Sequence, residues 1–63
     1  MEKLLTIEEA ATILGVAKKT LYMYVSAKKI PYCKVGSLVR FKETDLEAWV
    51  SAREVRPIGE GRT

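Results

Sequence analysis

Gly15 divides the first half of the chain into two short amphipathic series, and a break that early leaves few ways to bury them. Before it, Ile7, Ala10, Ala11 and Leu14 follow the i, i+3, i+4, i+7 spacing of a helix with one apolar face. Thr6 and Glu9 form a T-x-x-E capping box, in which each side chain takes the other residue's free backbone N–H. Leu5 and Ala10 stand at hydrophobic-staple positions around it. Gly15 supplies the left-handed residue that a helix C-terminus often needs. The spacing predicts a helix over residues 7–14. Two residues on, Val16 and Leu21 stand as a second staple around Ala17, a poor N-cap. Leu21, Tyr24 and Val25 form the inward stripe of a second helix, with the Lys28 stem near its end. Lys18, Lys19, Tyr22, Met23 and Ser26 are left facing outward. Pro31 disfavours a helical Ile30, so this helix is expected to stop around residues 27–29.

Helix, glycine, a short connection and a basic helix make a helix-turn-helix spacing. Beyond it, "PYCKVGSLVRF" alternates around Gly36-Ser37, which suits a two-residue hairpin turn of type II′. Cys33, Val35, Val39 and Phe41 are expected to face inward, and Tyr32, Lys34 and Arg40 outward. The last element, "ETDLEAWVSAR", places Leu46, Trp49, Val50 and the Arg53 stem on one helical face. Glu43 and Asp45 in its first turn and Arg53 in its last suit the helix dipole. Trp49 is expected to be the largest core residue. The expected organisation is one domain over residues 1–53 and a C-terminal tail over 54–63, where Pro57, Gly59 and Gly61 interrupt any apolar period.

Charge is segregated along the chain. Residues 16–42 hold Lys18, Lys19, Lys28, Lys29, Lys34, Arg40 and Lys42 with no acid, a net charge of +7. The segments on either side are each net −2, and the whole chain is +3. A basic block between acidic flanks marks one face for a polyanion. Its 63 residues leave no room for a second lobe or a deep ligand pocket. With no histidine and one cysteine, Cys33, there is no catalytic triad to assemble, no disulfide within the chain and no cysteine cluster for zinc. The chain is therefore not expected to be an enzyme or to need a cofactor or metal. Glutamates stand where a signal peptide would need an apolar core, and no run is long enough to span a membrane. A cytoplasmic location is expected.

Several short motifs then occur in order: "LTIEEAA" and "LGV", "TLY" inside the second helix, "KIP", "KVG", "RF" and "DLEAW". Over residues 4–50 the sequence resembles the excisionase-type DNA-binding domain, a small winged-helix relative of the MerR regulators. The resemblance implies a mainly α fold with a small β-hairpin wing, a winged helix-turn-helix. It implies double-stranded DNA as the partner, with the second helix in the major groove and the wing at the minor groove or backbone. Carried over, Lys18, Lys19, Thr20, Tyr22 and Met23 form the recognition-helix face, and Lys34, Ser37 and Arg40 the wing. Two positions depart from the pattern: Ala17 stands where serine is usual, and Met23 where arginine is frequent. Methionine makes no bidentate contact to guanine but can pack on a thymine methyl. MerR regulators continue into a dimerising helix and an effector domain that this sequence lacks, so ligand sensing is not expected.

Three functions fit this reading. One is an excisionase, a recombination directionality factor that assists a phage or transposon integrase, with further copies of itself on DNA. Another is a small transcriptional repressor using the same face. The third is a protein-interaction module whose basic face meets an acidic partner. RNA fits less well, because no exposed aromatic sheet is evident. Lys28 and Lys29 are expected to cap helix carbonyls, Arg40 has an acid of the last helix as an alternative partner, and Cys33 is expected to be plain core.

Overall fold

A computed structural model of the protein describes residues 2–55. In chain order the elements are β1 (Leu4–Leu5), α1 (Ile7–Leu14), α2 (Lys18–Ser26), β2 (Cys33–Val35), β3 (Leu38–Lys42) and α3 (Glu43–Ala52). The anticipated bounds of α1 are the observed ones, and both of its ends are built as the residues predict. Thr6 Oγ1 accepts from the Glu9 N–H at 3.1 Å, and the Thr6 N–H donates to Glu9 Oε1 at 2.9 Å. Gly15, at φ 71°, lets its own N–H reach the Thr12 carbonyl and the Val16 N–H reach that of Ala11, a Schellman closure. The Thr6 N–H holds the Glu9 carboxyl below its ordinary value. A carboxylate depressed in this way contributes stability above its unfolded value and loses it as pH falls through the folded one, so the start of α1 is acid-labile.

The second helix begins with no side-chain cap at Ala17 and ends in another Schellman closure, this time without a glycine. Lys28 takes the left-handed position at φ 57°. Its N–H bonds the Val25 carbonyl and the Lys29 N–H bonds that of Tyr24. The backbones of Lys28 and Lys29 therefore satisfy the helix end; their side chains are exposed and make no hydrogen bond, contrary to the expected capping role.

Three strands form an antiparallel sheet in the order β1-β3-β2. The sequence reading had only the hairpin, since two leucines are too short a run to show a period. In the structure Leu4 pairs with Lys42 and Leu5 with Phe41. The hairpin turn is the expected one: Gly36 has φ 64°, while Ser37, at the second loop position, has no positive φ, as type II′ requires. That turn fixes the register as Cys33↔Arg40, Lys34↔Val39 and Val35↔Leu38. Residues paired across a ladder share a face. Val39 and Phe41 face the core, and Tyr32 packs there as well. Cys33 and Val35 instead share the outer face with Leu38 and Arg40, which corrects their expected inward placement.

The core is Leu5, Ile7, Ala10, Ala11, Leu21, Ile30, Phe41 and Leu46. Its largest fully buried side chain is Phe41, not Trp49. Trp49 is half-buried at the edge, where it ties α3 to the end of α2. Its indole N–H donates to the Lys29 carbonyl at 2.8 Å, and its ring meets Tyr24 at 5.8 Å between centroids. The Arg53 guanidinium lies 4.0 Å from the indole centroid and donates to the Trp49 carbonyl. Val50 is exposed. The rest of the expected tail, from Arg56 onward, lies outside the described residues.

Two stability measurements follow. Phe41→Ala is expected to cost about 3–5 kcal/mol, comparable to all that a core this small supplies, and to abolish the cooperative urea transition. Lys28→Gly is expected to raise stability by about 1 kcal/mol by relieving the left-handed strain, read as a higher urea midpoint at unchanged slope.

Candidate nucleic-acid interface

The outward face of α2 is built by its inward one. With Leu21 fully buried and Tyr24 and Val25 packed on the core, the 3.6-residue turn leaves Lys19, Tyr22, Met23 and Ser26 exposed. Lys18 and Thr20 lie on the two borders of that face; Lys18 is exposed and Thr20 half-buried. Tyr22 and Met23 are 51% and 57% exposed, so a large apolar area lies among the lysines.

The wing lies beside one border of the helix. Tyr22 lines a shallow groove of about 330 Å³ with Ser37, Leu38, Val39 and Arg40 of the hairpin, the N-cap Thr6, and Ile7 and Glu8 of α1. Tyr22, Ser37 and Arg40 are therefore brought together. Lys19, Thr20 and Met23 lie outside the groove. Lys34 pairs with Val39 and points from the opposite side of the hairpin to Arg40, so the structure does not gather the two wing cations on one face. Arg40 Nη1 donates to the carbonyl of Val39 at 2.8 Å, and no acid of α3 holds it.

Sequence reasoning missed Glu8. It lines the groove and accepts a bond from Lys18 Nζ at 3.2 Å, with both side chains half or more exposed. The signal lies in two separate helices, ten residues apart, and only their packing joins it. Leu38 was missed for a similar reason: it is 52% exposed beside Ser37, at a position the hairpin register decides. Cys33 is a half-buried free thiol on the outer sheet face. No group of residues suited to hold a metal occurs among the described residues. None of their helices is long and apolar enough to cross a membrane.

Two helices joined through Gly15, a third helix behind them and a hairpin beside the second helix define a winged helix-turn-helix. The chain belongs to the excisionase-type helix-turn-helix domain family, whose model matches residues 4–54. Membership indicates DNA binding by a domain that is typically not catalytic. No curated protein and no solved structure matches the chain.

The Glu8 carboxyl sits below its ordinary value, first because it accepts from its own backbone N–H in the opening turn of α1, and then because of Lys18. Lys18→Met is therefore expected to bring the Glu8 titration, followed by NMR, only part of the way back. Full return to the ordinary value would place the cause in Lys18 alone.

Proposed function

We propose that this protein binds double-stranded DNA with α2 in the major groove and the β2–β3 hairpin against the neighbouring backbone or minor groove. The observation that carries the reading is the joining of Tyr22 with Ser37 and Arg40 across one groove, at the border of a helix whose outer face holds Lys18 and Lys19. A helix and a hairpin on one surface suit a duplex groove and its flanking phosphates.

The first turn of α2 is suited to a phosphate. Ala17 gives it no side-chain cap, so its free N–H groups and the Lys18 and Lys19 ammoniums meet at one end of the helix. Lys18 leaves Glu8 to do this, which makes the exposed ion pair a weak competitor that a duplex phosphate displaces. Affinity comes mostly from released counterions, and Thr20, Tyr22 and Met23 supply contacts to base edges or sugars. Met23, with no donor, favours a thymine methyl over guanine.

Within this reading the chain serves as a recombination directionality factor beside an integrase, in line with the excisionase type of its family. Several copies on repeated sites would offset the small surface one module buries, roughly 600–1,000 Å². A repressor would use the same face and need no integrase.

Lys18→Ala with Lys19→Ala is expected to weaken binding to every duplex and to reduce the salt slope by about 1 to 2 units in fluorescence-anisotropy titrations. Unchanged affinity in the folded double variant would move the interface elsewhere. A gel shift on a native site array, with and without integrase, separates the two roles: assembly that integrase does not alter favours the repressor.

A further inference from the structure

The tip of the hairpin is apolar on the side away from the core. Val35 and Leu38 pair directly across the turn, so their side chains stand together on the outer face. They are 49% and 52% exposed, and Leu38 also borders the groove that Tyr22 lines. The pair stands apart from the core, which Val39 and Phe41 meet from the other side of β3. The surroundings name the occupant. Arg40 and Lys42 follow Leu38 at alternate positions on the same face of β3, and Leu38 and Ser37 share the groove with Tyr22 of α2. A partner that meets this tip meets cations beside it and the basic helix next to it, which describes a polyanion with an apolar interior. Stacked bases between two rows of phosphates have that character.

We propose that Val35 and Leu38 form a wedge that the hairpin presses into the DNA minor groove, partly unstacking a base step and bending the duplex. The inference rests on the DNA-binding reading above and adds to it a mechanical function. Aliphatic side chains inserted between base pairs open a step most readily at flexible pyrimidine–purine steps, and the bend brings more phosphate to the protein. Arg40 and Lys42 then meet the phosphates that the bend draws in. The wedge makes TA or CA steps preferred one groove away from the bases that α2 reads, without a hydrogen bond to either base.

The test uses the full chain and a duplex selected by the wild-type protein from a randomised 24-base-pair library. 2-Aminopurine is placed at each step of the minor groove flanking the selected site, and end-labelled copies report the bend by energy transfer. The wild type is expected to raise the fluorescence several-fold at one step and to shorten the end-to-end distance. Val35→Ser with Leu38→Ser is expected to abolish both signals and to lose about tenfold in affinity, with the salt slope unchanged because the cations remain. Leu38→Met, which keeps an apolar tip, is expected to retain them. Binding with a lysine-dependent salt slope but no unstacking or bend in the wild type overturns the wedge and leaves the DNA reading standing. Equal unstacking by the double-serine variant also overturns it. Failure of the selection to recover any duplex overturns both.

Discussion

The rest of the molecule depends on the register of β3. It is the central strand, paired with β1 on one side and β2 on the other, and α3 follows it with no linker after Lys42. Phe41 enters the core from it and is fully buried. A side-chain period of two means that Phe41 inward forces Arg40 and Lys42 outward, and with them Leu38. A slip of one residue would expose the phenylalanine and bury two cations, so the alternative registers are excluded by several kcal/mol. The composition of the wing surface is thus decided by the need to bury one aromatic ring.

Placement of α2 is a matter of its ends. Gly15 turns the chain sharply after α1, and Lys28 turns it again after α2, each through left-handed backbone. The second turn is strained, because lysine carries a Cβ where glycine would not. The Trp49 indole holds that turn from outside by donating its N–H to the Lys29 carbonyl. A rim tryptophan in this role locks the helix in position, which a larger core alone would not do. With the C-terminal end of α2 held and its N-terminal end left without a side-chain cap, the helix presents free N–H groups beside its lysines.

Electrostatics is organised at two ranges. Over the whole chain, the basic block of residues 16–42 lies between acidic segments. Locally, two of the acids return to meet cations: Glu9 to Lys3 and Glu8 to Lys18. Both pairs are exposed and each is worth little to stability. Glu8 nevertheless stands in the groove between helix and hairpin, so it tempers the field of the very surface that the net charge advertises.

The local elements were legible in the residues because their causes are local. A capping box, a left-handed glycine, a proline after a helix and a Gly-Ser turn act within one turn of chain, and α1, α2, the hairpin and α3 follow from them. The exposed faces of α2 were legible too, since a helical period separates Leu21 from Lys19 and Met23 without knowledge of the partner. What distant segments do to each other was not. The pairing of Leu4–Leu5 with β3, the meeting of Glu8 with Lys18, the move of Trp49 from core to rim and the outward turn of Val35 all depend on contacts between elements. Alternation told that two faces exist in the hairpin but not which one the core would take, because Cys33 and Val35 are as apolar as Val39 and Phe41. The size of Phe41 decided it: only the packed interior of three helices could remove that ring from water, and a sequence pattern carries no record of where that interior lies.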